Sequence, residues 1–366
     1  MPFDQGSITF RVCRLPQHLP EAALEAFQKK ALINVDDVGD EPVFGWVSGR
    51  NLLESKIDEN TAMVGENYLH LCLCQAQRKV PASLLKAKVR MAELLKQAEL
   101  EADRLPRNER KKIKEEVVKE MLPQMPPSLG GVWFVVDRNE QLLYVTAAGQ
   151  KPLELFLGYF AQTVGFEPVP VTPATLVEEL LDGASADDVP PLNFSPALGD
   201  AAAAGSLGQN FLTWLWFYLD QNGGALPSSK LGDFSMMLDG PLTFVSENSS
   251  AQELVVRKGR PTVSPDSKTA LLTGKKLKSA KVLMAREKQQ WSFTLDADEF
   301  VFRGMRLPET ESLDPVSYFD ERMTLTYEFQ KVFFELFRKF LAEVKDDTRR
   351  QATEAKAKKW VESLAD

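Results

Sequence analysis

The chain has 366 residues, of which 44% are hydrophobic and 26% are charged. This balance is that of an ordinary folded protein, and at roughly 150 residues per domain the length predicts two or three folding units. The 44 basic and 52 acidic residues give a formal net charge of −8. That value excludes a protein that is basic over its whole surface, but it allows a local basic patch on an acidic body.

Three cysteines and two histidines are too few and too scattered for a structural zinc site or a disulfide framework. We therefore expect no metal or other cofactor. The longest apolar run, Phe211 to Leu219, is far shorter than the roughly 18 to 20 residues of a membrane span. The first residues also lack the apolar region of a signal peptide. These features predict a soluble, cytoplasmic protein without a membrane partner.

The first two predicted units differ in their periodicity. Residues 1–80 predict an α+β unit, because segments such as ITFRVCR alternate apolar and polar side chains as a half-buried strand does. Residues 81–128 predict a charged helical hairpin. Its first helix would follow Pro81, with Ser83 as a possible cap, and would end near Arg104. Its second would be capped by Asn108 and would end before Pro123.

The remaining chain predicts four further segments. Residues 129–181 form an α+β unit, and residues 182–207, rich in proline, glycine and alanine, form a linker or a long surface loop. Residues 208–345 predict a C-terminal α+β unit with a buried helix at FLTWLWFYL, several strands and a long helix from about Asp320 to Lys345. Residues 346–366 predict a polar tail. The expected fold is α+β, with antiparallel or mixed sheets, a protruding helical hairpin and a long C-terminal helix.

Positive charge is concentrated in two windows. Residues 78–119 carry a formal charge of +6 and residues 255–290 carry +8, so the remaining 288 residues carry −22. In the second window, GKKLKSAK places four lysines within seven residues. Such clusters bind nucleic-acid phosphates without reading sequence. A solvated strand and turn, or a helical face with surface ion pairs, is the alternative interpretation of each window.

The sequence contains no convincing catalytic constellation. LLTGKK resembles the end of a phosphate-binding loop but lacks the upstream glycine and the final Ser or Thr. Cys72 and Cys74 share one strand face with His70, a pattern typical of buried, inert thiols. The acidic segment LDADEF could supply Mg²⁺ ligands through Asp296, Asp298 and Glu299. A polar turn is the alternative interpretation of that segment.

Several segments in order resemble the bacterial recombination-associated RdgC family. They are FGWV, YLHLCLCQ, RKVPASLLKAKVRMAELLKQAELEADR, RKKIKEEVVKEMLP and VWFVVD, and then the segments from LVVRKGRPTV to WSFTLDADEFVF and FDERMTLTYEFQKVFFELF. The resemblance covers most of residues 5 to 345. It rests on the order of these segments along the chain and on the pattern of residues within them. The 182–207 segment, the FLTWLWF helix and the residues beyond Asp346 depart from the better-known members, which indicates a divergent branch.

The resemblance implies a non-catalytic protein that binds duplex DNA with little sequence preference. RdgC-like proteins form ring-shaped homodimers around DNA and restrain RecA-type recombinase filaments, which implies DNA, a second copy and a recombinase as partners, and a place in the nucleoid. Basic helices and the GKKLKSAK segment would then line the ring. The predicted phosphate contacts are Lys86, Lys88, Arg90, Lys111, Lys112, Lys114, Lys275, Lys276, Lys278 and Lys281.

Two other classes of function remain open at this point. One is a Mg²⁺-dependent nuclease that uses Asp296, Asp298 and Glu299. The other is an adaptor that binds another protein through an acidic face and makes no contact with DNA. Degradation of DNA in Mg²⁺ would distinguish the first from a DNA-binding protein, and a lack of DNA binding at low salt would distinguish the second.

Overall fold

A computed structural model describes residues 2–32, 34–35, 38–199, 204–246, 253–310 and 312–364. Within these ranges the chain forms ten α-helices and twelve strands. The strands are β1 (Ile8–Arg14), β2 (Val43–Ser48), β3 (Met63–Val64), β4 (Tyr68–Arg78), β5 (Pro127–Asp137), β6 (Leu142–Val145), β7 (Val169–Pro170), β8 (Ser235–Val245), β9 (Leu254–Val256), β10 (Lys276–Arg286), β11 (Gln289–Asp296) and β12 (Val301–Arg306). The helices are α1 (Ala23–Lys29), α2 (Glu59–Ala62), α3 (Ala82–Glu99), α4 (Arg107–Met121), α5 (Gln150–Val164), α6 (Pro173–Leu180), α7 (Leu207–Gln221), α8 (Pro265–Leu272), α9 (Pro315–Val344) and α10 (Asp347–Ser363).

All twelve strands belong to one sheet, with the order β2-β4-β5-β6-β1-β12-β11-β10-β8-β9; β3 pairs with β4, and β7 with β1. Strand β1 joins the N-terminal and C-terminal halves of this sheet. Its first part pairs with β12 through Ile8 and Phe10, and its second part, Arg11 to Arg14, pairs with β6. These pairings are antiparallel. The large antiparallel sheet and the long helix α9 confirm the α+β prediction.

Apolar residues are buried on both faces of the sheet. The largest cluster packs α7, α9 and α10 against the C-terminal strands and includes Phe10 and Tyr144 from the N-terminal strands. A second cluster packs α1 and α5 against β4, β5 and β6, with Trp46 and Phe134 at its centre. A smaller third cluster holds Cys72 and Cys74, on the opposite face of β4 from Leu71 and Leu73. The predicted alternation along β4 is therefore confirmed.

The residues after position 345 differ from the expected polar tail. Asp346 accepts a hydrogen bond from the backbone N–H of Arg349 and begins α10, as an aspartate at a helix N-cap does. Trp360 is 3% exposed, and its Nε1 donates to Asp220 at the end of α7 over 2.9 Å. Although most of α10 is polar, its few apolar residues therefore dock the helix on the core.

The 182–207 segment is also more structured than a flexible linker, although residues 200–203 lie outside the described ranges. Leu192 and Phe194 are buried, and Ser195 Oγ donates to the backbone carbonyl of Leu272 over 2.6 Å. The segment lacks hydrophobic periodicity because its backbone is irregular, and these contacts hold that backbone on the core. Helix α8 was not predicted, because it is short and has an almost even distribution of polar and apolar residues around its axis.

Candidate nucleic-acid interface

The α3–α4 hairpin extends from the end of the paired strands β4 and β5. Strands β4 and β5 pair continuously from Tyr68 opposite Asp137 to Arg78 opposite Pro127, and the hairpin connects them. Arg78 fixes its base, since its guanidinium donates to the carbonyls of Val38 and Met125. This cation of the first basic window therefore has a structural role. Every residue of α3 keeps at least partial exposure, whereas α4 buries Ile113 and Met121. The predicted protruding hairpin is present.

Helix α3 begins directly after Pro81, as expected, and each hairpin helix begins two residues earlier than its expected cap, Ser83 or Asn108, would place it. Pro81 and Pro106 are the N-cap residues, and neither Ser83 nor Asn108 is in the capping position. The fixed φ of proline suits the entry into a helix, so the chain turns helical directly after each proline. The side chains of Ser83 and Asn108 are consequently exposed on the first turns.

Six of the predicted contact residues lie on this hairpin, and all six are exposed. Lys86, Lys88 and Lys114 make no ion pair with any residue that the structure describes. The other three form ion pairs with acids one helical turn away: Arg90 with Glu93 at 3.5 Å, Lys111 with Glu115 at 3.6 Å and Lys112 with Glu109 at 3.3 Å. Exposed pairs of this kind contribute about 0.3–0.5 kcal/mol, so an incoming phosphate can displace them.

Helix α4 brings three lysines to one concave surface. Lys111, Lys114 and Lys119 line a depression of about 500 Å³ between α4 and the segment that contains Asp40. Lys119 was not among the predicted contact residues, although it lies five residues after Lys114. Asp40 and Glu115 lie in the same depression and reduce its positive charge.

The structure distributes the GKKLKSAK lysines differently from the expected basic patch. Lys276 is 2% exposed, and its ammonium group donates to Asn210 Oδ1 over 2.5 Å. The register of β10 against β8 shifts between Leu277 and Ser279, so Lys276 and Lys278 do not share one environment although they are two residues apart. Lys276 thus points inward and is not available for a phosphate contact in this structure. Lys275 precedes the strand and remains partly exposed.

The other two lysines of this strand face carboxylates. Lys278 Nζ lies 3.9 Å from Asp298, and Lys281 Nζ lies 3.3 Å from Asp239. Both lysines keep about two-fifths of their side chains exposed. These acids are distant in sequence from the lysines that they face, so the charge count of the window alone could not reveal the compensation.

Three cations just upstream are more accessible than the lysines of β10. Arg257, Lys258 and Arg260 follow β9 directly, are exposed, and form no ion pair within the described ranges. Gly259 has a φ of +79°, a conformation that favours glycine, and it places the three basic residues around a tight turn. The sequence signal for these three residues is the RKGR segment, residues 257–260.

The three acids proposed as Mg²⁺ ligands each have a protein partner. Asp296 pairs with Arg303 at 3.2 Å, and Glu299 pairs with Arg11 at 3.0 Å. Asp298 Oδ1 accepts hydrogen bonds from Ser206 and Gln209 and so anchors the start of α7. These ion pairs and hydrogen bonds give each of the three acids a structural role in the turn. No group of three or more His, Cys, Asp or Glu residues in the described part of the chain could hold a metal ion.

The cysteines on β4 are buried thiols. Burial raises the pKa of Cys72 well above its ordinary value and raises that of Cys74 to about 11. Both groups are therefore protonated and unreactive near neutral pH. Their role is packing within the third apolar cluster.

His70 is also buried, and neither of its ring nitrogens has a hydrogen-bond partner within the described residues. Its ring packs against Phe3 and Phe319. Burial lowers its pKa to about 4. The side chain is consequently neutral in the folded protein near pH 7. It acts as a core packing residue of strand β4.

No helix in the described part of the chain is both long and apolar enough to cross a membrane. Comparison with family models gives a match over residues 9–182, to the family described as "RdgC: Putative exonuclease, RdgC". The matched residues include β1 to α6 and the whole hairpin. The match supports membership of the RdgC family and, in general terms, a recombination-associated, DNA-binding protein.

Proposed function

We propose that the chain, whose residues 9–182 match the RdgC family model, belongs to that family and binds duplex DNA without sequence preference as a homodimer. The observation that carries the proposal is the set of exposed lysines on the protruding hairpin, Lys86, Lys88 and Lys114, which make no ion pair with described residues. Such cations gain free energy from phosphates because binding releases condensed counterions.

The proposed contacts are to the DNA backbone. Lysine is a flexible point charge and the hairpin presents several of them along two helices, an arrangement that suits phosphates better than base edges. Arg90, Lys111 and Lys112 extend this set once their weak surface ion pairs are displaced. Arg257, Lys258 and Arg260 form a second accessible group, together with Lys275 and with the partly compensated Lys278 and Lys281.

Self-association is proposed through the outer face of α3. Leu84, Met91, Leu94 and Leu95 are 37%, 61%, 50% and 60% exposed, whereas Leu85, Val89 and Ala92 of the same helix are partly buried. An apolar stripe of this kind at the end of a projecting arm suits an isologous contact with the same stripe of a second copy. Lys88, four residues after Leu84, borders the stripe, so a dimer formed there would hold the Lys88 side chains of both copies close together.

In this proposal the protein restrains RecA-type recombination by occupying duplex DNA. A homodimer whose arms meet could close into a ring, which would place basic side chains inside while the acidic excess of the chain faces outward. That arrangement reconciles DNA binding with a net charge of −8.

The test is fluorescence anisotropy of a labelled random-sequence duplex of about 30 base pairs at several salt concentrations. We expect binding that is independent of sequence, with a log–log salt slope of several units. Replacement of Lys86, Lys88 and Lys114 by alanine should reduce the slope by about 3. The matched control removes three exposed lysines elsewhere, Lys29, Lys151 and Lys288, and should leave the slope within about 1 unit.

An exonuclease is the second candidate, because the matching family model carries that word in its description. The same duplex, labelled at one end and incubated with Mg²⁺, separates the two functions. Shortening of the labelled strand that is lost in Asp298→Ala would favour the nuclease. An intact strand together with tight binding favours the DNA-binding protein, and no binding at low salt would contradict both.

A further inference from the structure

A large groove lies on the C-terminal half of the molecule, away from the hairpin. It runs between α9 and the loop 226–231 and has a volume of about 870 Å³. Its lining residues on α9 extend from Tyr327 to Ala342, which corresponds to about 22 Å of helix at 1.5 Å per residue. About seven residues of extended peptide span this distance.

The floor of the groove is apolar. Leu226, Val332 and Leu336 are buried at its base, and Leu231 and Tyr327 are partly exposed along its sides. Large apolar side chains of a ligand could therefore be removed from water here, which stabilises a complex by about 25 cal/mol per Å² of buried apolar surface.

The rim of the groove is basic. Four cations line it, Lys230, Lys331, Arg338 and Lys339, against a single acid, Glu335. Arg338 pairs with Glu335 at 2.9 Å, and Lys339 pairs with Glu343 at 3.4 Å. Lys331 Nζ instead lies 4.9 Å from the centre of the Tyr327 ring, and the exposed Lys230 makes no ion pair with a described residue. Lys331 also feels the negative charge of Glu140, and Lys230 and Lys331 are the two rim cations that lack an ion pair with a described residue.

We propose that this groove binds a short acidic peptide segment of another protein, one that carries large apolar side chains between its carboxylates. The apolar side chains would occupy the floor, and the carboxylates would pair with Lys230 and Lys331 on the rim. Charge complementarity selects an acidic partner, and the apolar floor selects a peptide with leucine-like or aromatic residues.

A nucleic acid fits the groove less well. Its phosphates would meet the basic rim, but the floor offers apolar aliphatic side chains with one tyrosine rather than a series of aromatic platforms for bases. The proposal is independent of DNA binding by the hairpin, because no residue of the groove lies on α3 or α4.

The probe is a fluorescein-labelled peptide in which glutamate and leucine alternate over about seven residues, titrated with the full chain. Two companion peptides replace every leucine by serine or every glutamate by glutamine. We expect the parent peptide to bind, and both companions to bind at least about ten-fold more weakly. The double variant Lys230→Glu/Lys331→Glu should weaken binding of the parent peptide by a similar factor.

A second variant tests the groove without altering its charge. Ala342 is exposed at one end of the groove, so Ala342→Trp should obstruct it and weaken peptide binding while duplex DNA affinity stays unchanged. Lys29→Glu/Lys151→Glu supplies the control with the same charge change outside the groove and should bind peptide normally. Thermal unfolding confirms that each variant is folded.

Three results would overturn the proposal. The first is that no acidic peptide binds at low salt. The second is that the control and the groove variants lose binding equally, which would mean that only net charge matters. The third is that the serine peptide binds as well as the parent and a single-stranded oligonucleotide displaces both, which would identify the rim as a nucleic-acid surface. Loss of duplex binding in the hairpin variants does not bear on this proposal.

Discussion

The ammonium group of Lys276 donates to Asn210 Oδ1 over 2.5 Å inside the protein, at the point where β10 crosses α7. The same oxygen accepts the backbone N–H of Leu192 over 2.9 Å. Asn210 thus joins three distant segments: the irregular chain before α7, the helix itself and the first residue of β10. The most lysine-dense segment of the sequence therefore contributes one of its cations to the interior.

This bond predicts that Lys276 affects stability. In Lys276→Ala, Asn210 loses a charged donor and the core loses a long aliphatic stem, so the free energy of unfolding should fall by about 2 kcal/mol. Urea unfolding followed by tryptophan fluorescence measures the change. Lys288→Ala, which alters an exposed lysine of the next turn, is the control and should change stability by less than about 0.5 kcal/mol. A stable Lys276→Ala variant with weaker DNA binding would contradict the assignment.

The sequence predicted the regular elements that have strong periodicity. Strands β1 and β4, the buried helix α7 and the long helix α9 follow from alternation or from apolar runs, and the structure confirms them. Helix α10 was missed because only four of its residues are buried. Its docking depends on Trp360 reaching Asp220, a contact between residues 140 positions apart that no local pattern could indicate.

The same distinction applies to the candidate site. The hairpin lysines could be predicted because α3 and α4 have little other structure to pack against. The charged side chains of this segment therefore remain exposed to solvent. The β10 lysines could not, because their environment depends on Asp239, Asp298 and Asn210 from other elements. Side-chain exposure in a strand is decided by its neighbours in the sheet, which local sequence does not specify.

A close approach of α7 to the turn after β11 predicts an unusual effect of a glycine substitution. A Cβ added at Gly208 would lie 1.8 Å from the carbonyl oxygen of Ala297, a backbone atom. Gly208→Ala should therefore destabilise the protein by about 2 kcal/mol, although alanine is about 1 kcal/mol better than glycine within a helix.

Gly158 in α5 is the matched control for this substitution. A Cβ there would have no atom within 4 Å, so Gly158→Ala should stabilise the protein by about 0.5–1 kcal/mol. Thermal unfolding of both variants checks the pair. A rise in Tm for both would show that α7 and the Ala297 turn are farther apart than described.

The buried imidazole of His70 predicts acid sensitivity. Burial lowers its pKa from 6.5 to about 4 in the folded protein, whereas the unfolded chain has the ordinary value. Between these values the unfolded state binds a proton that the folded state does not, so the free energy of unfolding decreases as the pH falls from 6.5 to 4. The total loss should be about 3 kcal/mol, since one pKa unit corresponds to about 1.4 kcal/mol.

Urea unfolding at several pH values, compared between the parent protein and His70→Leu, measures this contribution. The nearby charged groups, Asp4 and Arg50, and all other carboxylates are common to both proteins, so the difference between the two profiles isolates the histidine. The difference should be flat above pH 7 and should change through the window below it. Parallel profiles over the whole range would show that His70 is protonated, or accessible to protons, in the folded state.

The exposed apolar stripe of α3 predicts that self-association depends on the hairpin. In Met91→Glu/Leu95→Glu two carboxylates replace side chains that are 61% and 60% exposed in one copy, and burying them against a second copy would cost several kcal/mol without a partner cation. We expect the parent protein to sediment as a dimer at micromolar concentration and the variant as a monomer, measured by analytical ultracentrifugation. Leu53→Glu changes a similarly exposed leucine, 66%, in the loop after β2 and should remain dimeric.

Because the monomeric variant keeps all of its lysines, its DNA binding should weaken through loss of avidity while the salt slope per bound chain stays constant. A parent protein that is monomeric at these concentrations, or a variant that stays dimeric, would place the self-contact elsewhere on the molecule.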